Sequence, residues 1–239
     1  MELLNTNIYN SELDCLPNKK ILINTINAHS YNIAQNDHFF AEALKSSDVL
    51  LPDGVSIVIA KKVLLGKKIK KVAGADLFYY EMNRMNKIGG KCFFLGSSQP
   101  ILDQIFEKAK MEYPNITISV YSPPFVKEFS GTDNRKMIQV VNDFKPDVLF
   151  IGMTAPKQEK WAHMHFEELN SGHICCIGAV FDFYAGSVAR APDWLINLGL
   201  EWFYRFVKEP KRLWRRYILG NFKFVLYLLR EFYHLKKLQ

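Results

Sequence analysis

The sequence is poor in cysteine, and the little it has is not spaced for bridging. Cys15, Cys92, Cys175 and Cys176 form no C-x-x-C pair, and two adjacent cysteines fit a strand, so neither a disulfide framework nor a zinc ribbon is indicated. A reducing compartment suits such a chain. No stretch of eighteen uninterrupted apolar residues occurs, so no segment is expected to span a bilayer. The opening MELLNTNIYNSELDC is acidic and lacks the basic-then-apolar order of a signal peptide, so secretion is not expected. Two nucleotide signatures are missing as well: the dinucleotide glycine fingerprint, which INTINAHS does not supply, and the P-loop. His163 and His165 are two apart on an expected helix, so they cannot face one metal and read as surface residues.

Acidic charge is scarce only at the end. Residues 201–239 hold ten Lys/Arg and three Glu, which leaves 21 basic and 21 acidic residues in the first two hundred. The net +7 of the chain therefore sits in its tail, together with eleven of its 33 aromatic residues. This break divides the chain into a core, 1–200, and a basic aromatic appendage, 201–239. Basic, aromatic and helix-compatible composition points to an anionic, partly apolar partner such as a membrane surface. With 49% apolar residues over 239 positions, the core can fold without staples.

Short apolar runs alternate with helical patterns. ILINTI (21–26), DVLL (48–51), KCFFLG (91–96), ITISVY (116–121), DVLFIGM (147–153) and HICCIGA (173–179) read as buried strands, and 100–113, 134–144 and 157–169 as helices. The expected fold is α/β: a Rossmann-like, mostly parallel sheet with helices on both faces, followed by an amphipathic helical appendage.

The chemically distinctive residues follow the strands, where ligands of such sheets bind. Each has a plain reading too. Pro52-Asp53-Gly54 is a common turn whose aspartate often caps a helix, FLGSSQP suits a phosphate or any helix start, and TAPKQEKW has its proline and glutamate where helices begin.

The wording of the motifs narrows this. PDGVSIVIA, VAGADL, FIGMTAPKQEKW, IGAVFDFYAGSVARAP and GLEWFYRFVKEPKRLWRRY, in this order, resemble the WecG/TagA/CpsF glycosyltransferase family, from about residue 21 to residue 220. The stretch before Ile21 is shorter than the family's usual N-terminal strand and helix. The resemblance implies an inverting, metal-independent transfer of a sugar from a UDP-sugar donor, of the N-acetylmannosamine type, to a polyprenyl-diphosphate-linked sugar acceptor in surface polysaccharide or teichoic acid synthesis. No cofactor is implied. Many metal-dependent transferases hold the leaving diphosphate through an Asp-x-Asp motif and a divalent ion; this chain has no Asp-x-Asp, so cationic side chains must take that task.

On the same resemblance, Asp53 is the expected base, with Thr25 and Asn27 orienting it or a sugar. Gly152, Pro156, Lys157, Gln158, Glu159, Gly178, Ala179 and Asp182 match the donor-side motifs, and Gly186 and Arg190 the loop that closes the site. Arg205, Arg212 and Arg215 match basic positions that the appendage brings over the site to stabilise the diphosphate, for which arginine's planar, always charged fork is suited. Arg216 and Lys211 are expected to face lipid. The appendage would place the enzyme peripherally on the inner face of the cell membrane; an apolar tail can also be covered by a second subunit, which leaves room for a homo-oligomer. Two other classes are weaker. A nucleic-acid module could use the same tail, but the core is neutral and no nucleic-acid partner is expected; a soluble nucleotide-dependent enzyme lacks its glycine fingerprint.

Overall fold

A computed structural model describes residues 4, 6 and 8–237; the remaining ends of the two sequence-defined segments lie outside the described residues. The six apolar runs form one sheet, β1 (Ile21–Ile26), β2 (Val49–Pro52), β3 (Lys91–Gly96), β4 (Thr117–Tyr121), β5 (Val148–Gly152) and β6 (His173–Cys176). The spatial order is β2-β1-β6-β5-β3-β4, and every pairing is parallel. All carboxyl ends therefore share one edge. Before β1, the described residues add an isolated bridge from Ile8 to Leu50 of β2 and a short 3-10 turn, Leu13–Cys15.

Helices cover both faces, as buried parallel strands require: α1 (Ala28–Ala34), α2 (His38–Lys45), α3 (Val55–Leu65), α4 (Gly74–Ile88), α5 (Gln99–Glu112), α6 (Gly131–Phe144), α7 (Lys157–Met164) and α8 (Val180–Ala185). Phe78, Phe94, Phe150, Phe181 and Tyr184 pack in one core on one face, and Leu22, Phe93, Leu149, Trp161 and Ile174 in another on the opposite face. Helix α6 starts earlier than its apolar spacing predicts, because Ser130 and Asp133 form a reciprocal capping box. Helix α7 ends five residues earlier than expected. His165 leaves helical geometry, its ring stacks near Trp161 at 5.3 Å, and its Nδ1 bonds Glu168 Oε1 at 2.7 Å. His165 is thus buried, contrary to its reading as a surface residue, while His163 Nδ1 meets Ser46 Oγ at 2.9 Å.

The core ends with α9 (Asp193–Asn197), and the tail forms α10 (Glu201–Lys208), α11 (Pro210–Trp214), a π-helical turn (Arg215–Leu219) and α12 (Gly220–Lys237). It packs on the core: Phe224 is buried, with its ring edge-on to Tyr31 at 5.2 Å, and Asn32 Nδ2 donates to Gly220 O at 2.7 Å. Deleting the tail would uncover Tyr31. Phe224→Ala should lower unfolding free energy by about 3 kcal/mol, measurable by chemical denaturation; an unchanged midpoint would mean the helix is only loosely seated.

Candidate active site

The site begins where β1 and β2 end side by side. Ile26 pairs with Pro52, and Asp53 N donates to Ile26 O at 2.9 Å. Asn27, the next residue on β1, caps α1: its Oδ1 accepts from His29 N at 3.0 Å and Ser30 N at 3.1 Å, and Ser30 Oγ accepts from Asn27 N at 2.8 Å. The amide oxygen is occupied, which leaves the amide NH2 as the group that can donate toward Asp53, whose pKa Asn27 lowers. Asn27 thus has both of the roles its sequence context allows. Thr25 lies one pair deeper, half-buried and opposite Leu51.

Asp53 is not a helix cap. The N-cap of α3 is Gly54, at φ +134°, with no side-chain cap bond, so the carboxylate is left for other work. Burial pushes its pKa up to about 6, and the charge of Glu201 adds to the rise; the Asn27 hydrogen bond, Lys71 and Arg216 pull in the other direction. At neutral pH Asp53 is ionised yet more basic than a surface aspartate.

The tail supplies the positive charge, through a residue assigned otherwise by sequence. Arg216, expected to face lipid, is half-buried. Its guanidinium is a charge neighbour of Asp53, Arg205 and Arg212, burial lowers its pKa, and its Nε has no hydrogen-bond partner among the described residues. His29, half-buried beside it, is pushed down to about 4 by burial and then by Arg216, so it is neutral at physiological pH. Arg215, by contrast, is exposed with its guanidinium 5.4 Å from the Trp214 ring, and Lys211 is exposed. The two adjacent residues open a π-helical turn and sit on different sides of it.

Arg205 and Arg212 line a cleft of ≈ 500 Å³ with Asp182, Ser187, Lys208 and Glu209. Asp182 is raised by burial and drawn back by Arg212 and Arg205. Arg212 is ion-paired with Glu209, and Arg205 sits 5.0 Å over the Phe183 ring with a buried Nε that has no hydrogen-bond partner among the described residues. A buried guanidinium N–H without an acceptor, that of Arg205, in a cleft with three cationic side chains suits an anion bearing several oxygens. Arg216, near both Asp53 and these arginines, joins the cleft to the base.

The other donor-side residues are placed more structurally. Any Cβ at Gly152 would meet the Phe181 ring at 2.4 Å, so this glycine is demanded by packing. Gln158 and Glu159 are buried. Gln158 Oε1 accepts from Met153 N at 3.1 Å and its Nε2 donates to Glu159 Oε1 at 2.9 Å, while burial raises Glu159 to about 7. They brace the loop behind Pro156, which follows a cis bond. Lys157 bonds Val126 O and lies 3.5 Å from the Phe129 ring centroid. Gly178, at φ +54°, turns the chain from β6 toward Ala179, the N-cap of α8, and Gly186, at φ +84°, ends that helix. Arg190 bridges Asp76 and Glu201, at 3.8 and 3.9 Å, and so ties the VAGADL segment to the tail.

Sequence reasoning missed His29, Lys71, Glu201 and the inward role of Arg216. Lys71 and Glu201 stand within or beside quoted motifs and were legible as charged residues near the site; His29 carried no signal. Among the described residues, no three His, Cys, Asp or Glu side chains cluster to hold a metal, and no helix is long and apolar enough to cross a membrane.

Residues 6–238 match the model of the Glycosyl transferase WecG/TagA/CpsF family. The chain is 31% identical over 210 residues to the N-acetylglucosaminyldiphosphoundecaprenol N-acetyl-beta-D-mannosaminyltransferase of Bacillus subtilis (strain 168), covering 88% of this chain and 79% of the relative. It is 32% identical over 216 residues to the protein of that name from Bacillus spizizenii (90% and 80% covered). A Staphylococcus aureus (strain MW2) relative of the same name is 25% identical over 195 residues, 82% and 75% covered.

Proposed function

The chain belongs to the WecG/TagA/CpsF family of glycosyl transferases, and from that premise we propose that it moves an N-acetylmannosamine-type sugar from a UDP-sugar to a polyprenyl-diphosphate-linked N-acetylglucosamine. The named activity of the Bacillus relatives supports both sugars and the lipid carrier. The observation that carries the chemistry is a basic carboxylate, Asp53, within the electrostatic reach of a tail arginine, Arg216, which in turn feels Arg205 and Arg212 of a cationic cleft.

In this reading the nucleotide diphosphate lies against Arg205, Lys208 and Arg212. The acceptor hydroxyl oxygen attacks the anomeric carbon of the donor from the face opposite the diphosphate. The new C–O bond forms as the bond to the diphosphate oxygen breaks, and the configuration inverts. The hydroxyl proton passes to Asp53, held in line by Asn27. Charge grows on the departing phosphate, and Arg216, Arg205 and Arg212 stabilise it without a divalent ion. The tail would rest on an anionic membrane, peripherally on the side where UDP-sugars are made, and deliver these arginines when it does.

The test is a donor screen with purified protein and a synthetic polyprenyl-diphosphate N-acetylglucosamine, in EDTA. Transfer from UDP-N-acetylmannosamine at an undiminished rate is expected. Turnover restored only by added divalent cation would overturn the arginine role, and exclusive use of another UDP-sugar would overturn the donor.

A further inference from the structure

The charge balance of the first two hundred residues conceals a local excess. Residues 61–71 read KKVLLGKKIKK, six lysines in eleven positions, and no acidic residue occurs between Asp53 and Asp76. Lys61 is buried on Thr6 O, Lys70 pairs with Glu12 at 2.9 Å and Lys71 neighbours Asp53. Lys62, Lys67 and Lys68 are exposed.

They flank an apolar face that the core does not use. Helix α3 turns Ile57, Ala60 and Leu64 inward. Val55, Ile59 and Val63, spaced four apart, form a stripe on its outer side, 38%, 53% and 60% exposed. Helix α12 packs beside α3, with its Tyr227 and Leu228 in the same cluster as Leu64 and Ile69. Its outer side carries Phe222, Val225 and Leu229, each at least half exposed. Two neighbouring helices thus each present an exposed apolar stripe, and Lys62, Lys67, Lys68, Lys223 and Arg230 on or beside them are exposed.

We propose that α3 and the lysine loop after it are a second membrane-binding element, within the core itself, that docks on an anionic bilayer beside the tail. The proposal rests on the membrane part of the function proposed above. An apolar stripe with a basic rim is what an interfacial helix needs. A second copy of the chain fits less well, because a symmetric contact would set one all-positive rim against another.

The consequence for the reaction is orientation. Helix α3 starts at Asp53-Gly54 and is about 16 Å long. With α3 lying on the bilayer, Asp53 is held at headgroup depth, where the sugar of a polyprenyl-diphosphate acceptor emerges. The tail alone would tether the enzyme without fixing which way its crevice faces.

The experiment uses the full chain and vesicles of phosphatidylcholine with or without phosphatidylglycerol. Three variants are compared with the parent: I59S/V63S, K62E/K67E/K68E and, in the tail, F222S/L229S. All altered side chains are exposed, and thermal melts check that each variant is folded. Both α3 variants should bind anionic vesicles at least about tenfold more weakly. They should transfer sugar poorly to a long-chain acceptor in vesicles and normally to a short-chain, water-soluble one. Parent-like vesicle binding by both α3 variants, with binding lost in F222S/L229S, would overturn the α3 proposal and leave the tail reading intact. A parent that binds no vesicles would overturn both. A concentration-dependent dimer that I59S/V63S dissolves, with vesicle binding unchanged, would assign the stripe to a subunit contact instead.

Discussion

Asp53→Asn should lower kcat on the order of a hundred- to ten-thousand-fold, the usual range for removing a general base, while leaving the protein at least as stable as the parent. Asparagine keeps the shape and can still bond Asn27, but it cannot take the acceptor proton. Its effect on stability has a definite sign. The folded carboxyl titrates near 6, above the ordinary aspartate value of 3.8. Between these values the folded protein holds a proton that the unfolded chain has released, so this group makes stability fall as pH rises through the window. The substitution removes that penalty. The variant should exceed the parent by up to roughly 3 kcal/mol above pH 6, with the gap closing toward pH 4. Activity of the parent should climb with pH through a midpoint near 6 and level off about one unit higher. A destabilised variant at pH 8 would mean that Asp53 is chiefly structural, and near-parental turnover would remove it as the base.

Arg216→Ala should cost on the order of a hundredfold or more in kcat, as loss of a charge aimed at a developing anion does, whereas Arg215→Ala should change turnover less than about threefold. The contrast is sharp because the two residues are adjacent. Arg216 neighbours Asp53, Arg205 and Arg212, and Arg215 is exposed over Trp214. Arg216→Lys should recover only part of the loss, since a point charge replaces a fork that can hold two phosphate oxygens. Comparable losses at both positions would place the diphosphate across the outer side of the tail. Product release should be checked by single-turnover kinetics, which separate a chemical defect from a slow tail opening.

The neighbouring arginines also show how far a sequence could be read. Every strand was legible to within a few residues, because parallel strands buried on both faces are near-continuous apolar runs such as DVLFIG. Asp53 was legible as a residue past a strand end, and the structure removes its competing reading as a cap. The tail was legible as basic and aromatic, but which arginine turns inward was not. A helical wheel assumes a constant phase, and the π-helical turn at Arg215–Leu219 breaks it. Gln158 and Glu159 were placed on the donor side by the family resemblance of their motif. In three dimensions they are buried and bond to the loop and to each other, a partnership that spacing cannot reveal. Gly152 was likewise assigned to the donor side by its motif, and its neighbour is the Phe181 ring. The lysines of 61–71 escaped notice because charge summed over the whole core hides their clustering.

In the proposed function the tail completes the active site by bringing the charge of Arg216 to bear on Asp53. The most direct test of this claim is the pH dependence of kcat/KM in EDTA, for the parent and Arg216→Ala side by side. Arg216 favours the ionised carboxylate, so the acidic limb of the parent, near pH 6, should move to higher pH in the variant and return toward the parental position in Arg216→Lys. A lower rate with an unmoved limb would contradict the claim, because the arginine would then act at a distance from the base.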